Sequence, residues 1–465
     1  MHPPPEEQGL RGIAVLDIGA TNTKLVLFAA DLTVLAEHAV PAQRRADPPY
    51  LAIDPQPVMT LVAQALPEFD AQLPVDAIVP CAHGSAAALV DGEGQLVLPI
   101  MSYEAEPPPE IVDGYAAIAP EFGEVFAPTN PLALTLARQL HWQETYFPAA
   151  FARTRSIMPL AQYFGFRLCG TRASEVSALG AQTHLWAPLV RDYSTLARER
   201  SWTSRFAPLL PAWEALGHAT GLPLRGRATV LSGVHDSNAN LLRHLGGPRF
   251  TLLSTGTWII GFVQGIDINQ LDPARDQVSN TTVFGDPIAS CRFMGGREFD
   301  LVAAGAPADM ADHEVVLDLL ERGVTAWPSF TTSGGPVPGA QGLGRIDGTL
   351  RDARERASLA SLYCAQMSAL ALRNIGSANR VIVDGPFAAN VVYLEVLAAC
   401  LPDQAVLAAD ERSGTAAGAA SLALMAGGVL TSTPSARLRS IDPPPGLSQN
   451  PGLLRWFEQF GNHSS

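Results

Sequence analysis

From residue 13 the chain alternates short apolar runs with tight polar turns. IAVLDI, a Gly-Ala-Thr-Asn turn and TKLVLFA predict strands over Ile13 to Ile18 and Thr23 to Ala29, with a third strand near Val34 after a turn at Asp31. This is a meander. A strand follows the glycine turn where a P-loop or a dinucleotide fingerprint requires a helix, so neither fits. VDAIV predicts a strand over Val75 to Val79 that ends on Pro80-Cys81-Ala82-His83-Gly84, and helices are expected over 131–142 and 156–168.

Near residue 228 the pattern restarts. ATVLSG reads as a strand, HDSNANLLRHL as a helix capped by Ser237 or Asn238, and FTLLSTGTWIIGFV as a strand, a Ser-Thr-Gly-Thr turn and a strand. The order of apolar strand, Gly/Thr turn and apolar strand thus occurs twice, about half a chain apart, which suggests two related domains facing each other. Beyond it come a Gly/Pro loop from Pro328 to Gly348, a helix in ERASLASLYCAQMSALALRNIG that is apolar on most sides, a strand and Gly-Pro turn in RVIVDGPFAAN, and a small-residue helix in SGTAAGAASLALMAGG. From about Ser432 a Pro/Ser-rich tail is expected on the surface, with one helix near Leu453 to Phe460.

At 465 residues, two domains around a cleft are expected. Hydrophobic residues make up 47% and charged ones 16%, which favours large buried cores. Lys+Arg 31 against Asp+Glu 45 gives a net charge of −14, which disfavours nucleic acid and anionic membranes as partners. Any bound phosphate must then be held chiefly by backbone N–H groups, a metal and local dipoles. The five cysteines form no C-x-x-C pair and read as reduced buried thiols. MHPPPEEQGLRG lacks the features of a signal peptide and no run is long enough to span a bilayer, so a cytoplasmic enzyme is expected, with a homodimer as the base-rate assembly.

Three features could carry chemistry. Asp17 ends a buried strand beside Gly19, Thr21, Asn22 and Lys24, a setting that suits a Mg²⁺-water or phosphate site and equally an ordinary hairpin with Asp as turn former. Asp236 follows His235 at a strand-to-helix junction, where the helix dipole favours the anion that accepts a hydroxyl proton; it could also serve only as the cap. Thr255, Gly256 and Thr257 form the second turn, readable as a phosphate cradle or a plain hairpin. His83 and Gly84 lie in a loop able to reach a sugar hydroxyl, although a lone His is often structural.

Together, D-I-G-A-T-N-T-K, G-V-H-D-S-N-A-N, S-T-G-T-W, G-P-F-A-A-N and S-G-T-A-A-G-A-A resemble the FGGY carbohydrate kinases of the actin-like ATPase superfamily, over about Gly12 to Gly428. The resemblance implies an α/β protein of two ribonuclease-H-like domains around a central cleft. Residues 1–245 would be a sugar-binding domain, 246–432 an ATP-binding domain and 433–465 a tail. It implies transfer from Mg·ATP to a terminal hydroxyl of a ketose, with Asp236 as base and Asp17 at the Mg²⁺ site. Gly19, Thr21, Asn22 and Lys24 would form one phosphate turn and Thr255 to Thr257 the other; Gly385 and Asn390 would hold adenosine; His83, Gly84 and His235 would meet the sugar. Glycines between Gly414 and Gly418 would pack a helix beneath the nucleotide. GTRASEVSALGAQTHLW and CRFMGGREFD most resemble kinases of deoxyketoses such as L-fuculose and L-rhamnulose; xylulose, ribulose, polyols, sugar acids and a non-catalytic sensor are the alternatives. Asp384 and Lys24 stand where relatives often have Gly and Arg.

Overall fold

The computed structural model describes residues 10–46, 49–409, 414–428 and 437–460. The first nine residues and the expected start of the tail at Ser432 lie outside them. The chain forms two compact units, neither continuous in sequence. The first comprises Met1–Gly246, Ser279–Pro287 and Thr415–Pro434; the second comprises Gly247–Val278, Ile288–Gly414 and Ser435–Ser465.

In the first unit, β1 (Gly12–Ile18), β2 (Asn22–Ala29) and β3 (Val34–Pro41) form the expected antiparallel meander. On the other side of β1 lie β4 (Val75–Ala82), β6 (Thr229–Leu231) and β5 (Ala215–His218), giving the order β3-β2-β1-β4-β6-β5, with β4 parallel to β1 and to β6. The short β7 (Val234–His235) also runs parallel to β4. Both faces of the sheet are covered, so β1 is apolar almost throughout rather than alternating. Leu16, Leu25 and Leu27 pack with α1 (Gln56–Gln72) and α2 (Leu160–Cys169), while Ile13, Val15 and Val26 pack with α3 (Asp236–Leu242) and α7 (Gly414–Ala426).

The second unit repeats this order. Strands β8 (Phe250–Thr255), β9 (Ile259–Val263) and β10 (Pro287–Phe293) make the meander; β11 (Arg380–Asp384) and β12 (Val406–Ala409) add in parallel, and β13 (Leu438–Ile441) closes the edge antiparallel. The path β10-β9-β8-β11-β12-β13 repeats that of the first unit, with the strand Gln277–Thr281 added beyond β10. The helix α4 (Gly295–Ala303), the long buried α5 (Ala353–Asn374) and α6 (Val391–Cys400) cover it.

The structure corrects several expectations. Residues 156–168 are not one helix: Ser156–Pro159 is a strand paired with Ala87–Val90, and α2 begins only after Pro159, whose ring cannot continue a helix backwards. The helix expected over 131–142 runs instead over Leu136–Tyr146. Neither Ser237 nor Asn238 caps α3, which starts at Asp236 itself. The tail is woven into the second sheet through β13 rather than lying only on the surface. Among the described residues, no helix is long and apolar enough to cross a membrane.

Gly418 packs α7 against α3: a Cβ there would lie 1.9 Å from the Ala239 carbonyl oxygen. Gly418→Ala therefore forces two backbones apart and should cost roughly 1–3 kcal/mol. A thermal melt of the variant should show a midpoint several degrees lower; an unchanged midpoint would contradict the close helix contact.

Candidate functional site

The register of β1, β4 and β7 gathers the acids of the first unit. Asp17 is level with Cys81 and Ile18 with Ala82, while Val234 is level with Cys81 and His235 with Ala82. Three neighbouring parallel strands thus end together, and the residues that leave them, Gly19, His83 and Asp236, emerge at one edge, the carboxyl edge where open α/β sheets build sites. The His83 N–H donates to the Ile18 carbonyl at 3.0 Å, tying two of these exits together. The first turn is closed by the Gly19 N–H on the Asn22 carbonyl at 3.0 Å, and Arg44 braces it from outside by donating to the Ala20 carbonyl at 2.9 Å while paired with Glu104. Thr21 and Asn22 are exposed on this turn. Lys24, opposite Asp17 across β1 and β2, is paired with Glu37 at 3.0 Å.

Asp236 is held by one oxygen. Its Oδ1 accepts from the Ser237 N–H at 2.6 Å and the Ser237 hydroxyl at 3.2 Å and lies 3.2 Å from His235 Nε2. No partner of Oδ2 is found among the described residues. Gly84 makes room for this arrangement, because a Cβ on it would meet His235 Nε2 at 2.9 Å. Beneath them Glu175, fully buried, accepts from the N–H groups of Ser177 and Ala178 and from the Ser177 hydroxyl, which in turn accepts the His235 N–H. Burial pushes Glu175 up to about 7.

Asp17 is likewise pushed up to about 7, first by burial and then by the charge of Asp236. A buried acid beside a second carboxylate is one that a nearby cation would stabilise in its charged form, so Asp17 is compatible with a Mg²⁺ site. Among the described residues no cluster of three His, Cys, Asp or Glu could hold a metal. A Mg²⁺ ion held there by Asp17 would need water and phosphate oxygens for its remaining ligands. Burial lowers the pKa of His83. Its Nδ1 lies 2.8 Å from the Gly84 carbonyl and so carries the proton, leaving Nε2 as an acceptor. Next to it Ile18, Ala42, Ile53, Val58, Arg44, Ser102 and Tyr103 line a recess of about 20 Å³.

In the second unit a cavity of about 730 Å³ is lined by Gly256, Thr257, Gly296, Arg297, Phe299, Asp300, Pro386, Phe387 and Asn390 among others. Its shape depends on two glycines. A Cβ on Gly385, where φ is +93°, would lie 2.1 Å from the Thr255 carbonyl oxygen, and one on Gly296 would lie 2.4 Å from that of Gly256. The Thr255 hydroxyl donates to the Asp384 carbonyl at 2.6 Å and accepts from the Phe387 N–H at 3.1 Å, so it pins the Gly-Pro turn and is not available to phosphate. Asn390 faces the cavity but spends its amide on the Tyr393 N–H and the Ser361 hydroxyl. Gly256 and Thr257 remain as the cavity-facing part of the second turn.

Sequence reasoning missed Arg44, Tyr103, Glu175, Arg297 and Asp300. The Arg44-Arg45 pair after β3 was a usable signal; Glu175 stood inside a quoted motif, with nothing to mark it as buried. Arg297 and Asp300 fall on α4, whose Met-Gly-Gly start gives no helix cue.

A repeated sheet order, acids at its carboxyl edge and a glycine-shaped cavity in the second repeat define a two-domain phosphotransferase of the actin-like ATPase fold. The family described as "Carbohydrate kinase FGGY, C-terminal domain" matches residues 247–432. A carbohydrate kinase from Novosphingobium aromaticivorans is 30% identical, covering 96% of this chain and 99% of that one with a TM-score of 0.83. The chain belongs to the FGGY carbohydrate kinase family and is a sugar kinase. A ligand-bound xylulose kinase from Lactobacillus acidophilus (14% identity, 97% of each chain, TM-score 0.80) and Plasmodium falciparum glycerol kinase with ADP (11%, 98% of this chain and 99% of that one, 0.77) share the fold. No curated protein matches the sequence.

The raised Asp17 carries a stability consequence. Its folded pKa of about 7 lies above the ordinary aspartate value of 3.8, so the fold favours the protonated acid. The stability this contributes is full below 3.8 and is lost as the pH rises through about 7. Asp17→Asn, permanently neutral, should therefore raise the melting midpoint by a few degrees at about pH 8, with the gain vanishing towards about pH 4, while sugar-dependent ADP release is lost. Equal midpoints at both pH values would overturn the assignment of burial strain to Asp17.

Proposed function

We propose that the protein transfers the γ-phosphoryl group of ATP to a terminal hydroxyl of a ketose, with Asp236 as the base. The observation that carries this reading is Asp236 Oδ2, which has no partner among the described residues, beside Asp17 and His83 at the shared carboxyl edge of three strands. Phosphoryl transfer asks a protein mainly to position and neutralise, and one oriented carboxylate with phosphate-binding turns is sufficient. Asp236 Oδ2 takes the hydroxyl proton as the oxygen attacks phosphorus, and His83 Nε2 accepts from a second hydroxyl to orient the sugar. Asp17 would hold Mg²⁺ through water; when bound, that ion neutralises charge on the phosphate oxygens. Gly256 and Thr257 would cradle the phosphates, and Phe299 and Phe387, edge to face at 5.8 Å, give the cavity an apolar wall suited to a base. The glycerol kinase of the same fold was solved with ADP, which supports a nucleotide in this family.

For the sugar, the 6-deoxyketoses are favoured. The recess beside His83 is about 20 Å³, room for one group the size of a water or a methyl, and Ile18, Ala42, Ile53 and Val58 supply apolar walls. The xylulose, gluconate and glycerol kinases of the same fold keep other acceptors in view.

Asp236→Ala should abolish sugar-dependent ADP release while calorimetry still detects ATP binding; near-normal release would sink the assignment. Thr257→Val should raise the KM for ATP and leave that for sugar alone. In a coupled ADP-release screen over ketoses, deoxyketoses, polyols and sugar acids, a 6-deoxyketose should exceed its 6-hydroxy parent by roughly 10- to 100-fold in kcat/KM. Preference for the parent would remove the deoxyketose reading and leave the kinase intact.

A further inference from the structure

Helix α4 begins on the second turn and runs along the cavity of about 730 Å³. The Gly296 N–H donates to the Thr257 carbonyl at 3.2 Å, so the helix starts beside the Gly256-Thr257 cradle. Its rotation is fixed from the other side. Glu298, buried, accepts from the Phe330 and Thr331 N–H groups at 2.9 and 3.0 Å and from the Thr331 and Tyr363 hydroxyls at 2.7 and 2.9 Å, which bolts α4 to the Gly/Pro loop and to α5. Asp300, two residues on, is turned about 200° from Glu298. It lines the cavity together with Arg297 and Phe299. Asn390 spends its amide elsewhere, whereas Arg297 and Asp300 are exposed and have no hydrogen-bond or ion-pair partner among the described residues, each other included. Arg297 stands at the cradle and Asp300 follows about 4.5 Å further along the helix axis. Past the end of α4 come Ala306, Pro307 and Ala308, with Phe299 and Phe387 as the wall. Cation, carboxylate and apolar wall, in that order, are the complement of a phosphate, a pair of hydroxyl donors and an aromatic base.

We propose that α4 sets the donor specificity of this cavity: Arg297 binds the phosphates of the nucleotide, and Asp300 accepts from the 2′- and 3′-hydroxyls of its ribose. The inference rests on the cavity being the ATP site and adds which nucleotide that site selects. A carboxylate only accepts, so it pairs with vicinal hydroxyls and repels phosphate. The same repulsion sets the direction of the bound nucleotide, phosphates towards Thr257. In a chain of net charge −14, Arg297 adds a local cation to the backbone N–H groups expected to hold phosphate.

The test is calorimetry of the whole chain in Mg²⁺ with ADP, 2′-deoxy-ADP and adenosine, none of which depends on the sugar. Wild type should bind ADP roughly tenfold more tightly than 2′-deoxy-ADP, because the deoxy compound loses a hydrogen bond to a charged group. Asp300→Ala should weaken ADP by at least that factor and 2′-deoxy-ADP by less, bringing the two within about twofold of each other. Arg297→Gln should weaken ADP about tenfold and leave adenosine unchanged, with Arg297→Lys in between. Both side chains are exposed, so the ligand-free melting midpoints should match that of wild type. No preference in wild type, or equal weakening of ADP and 2′-deoxy-ADP in Asp300→Ala, would overturn the ribose contact. An ADP affinity untouched by Arg297→Gln, or an equal loss for adenosine, would overturn the phosphate contact. If wild type bound neither nucleotide, the ATP reading itself would fall; firm ADP binding with unaltered selectivity in both variants would overturn only the role given to α4.

Discussion

The parallel register of β1, β4 and β7 is the constraint on which the first unit depends. With Asp17, Cys81 and Val234 level, three strands end within one residue of each other, and Gly19, His83 and Asp236 leave the sheet side by side. A slip of one residue in β1 would turn Asp17 into the α1 face and Leu16 towards Asp236, because successive side chains point to opposite faces. The apolar packing of both faces, Leu16 with α1 and Val15 with α3 and α7, fixes that register more strongly than any polar contact in the site.

Acids brought together this way sit against the fold. Asp17 and Glu175 are both buried enough to be raised to about 7, and neither has a cation of its own in hydrogen-bonding range. Glu175 is compensated by two backbone N–H groups and a hydroxyl. Asp17 is not, and an acid left costly in the free protein is what a divalent ion or its waters can relieve on binding.

The second unit uses the same strand order for a different end. There Thr255, Gly385 and Gly296 bring the hairpin turn, the Gly-Pro turn and the start of α4 so close that only glycine fits at the two crossings. Asp384 spends one carboxylate oxygen on the Gly385 N–H at 2.6 Å and stiffens that turn.

Much was legible in the sequence. The two hairpins, the buried α5 and the Asp17, Asp236 and Thr257 turns all follow from apolar runs, β-branched residues and glycine position, which are local properties. The start of α2 was misplaced because the Ser156–Pro159 strand exists only by pairing with residues nearly seventy positions away. The division of the chain was beyond local reading for the same reason: Gly418 and Ala239 meet although they lie 179 positions apart. Side-chain roles were decided last and only in three dimensions. Nothing along the chain says that the Thr255 hydroxyl is consumed by Asp384 or that Arg44 returns to brace the first turn. Local sequence selects strands, turns and the residues able to do chemistry; long-range packing decides which of their atoms are left free.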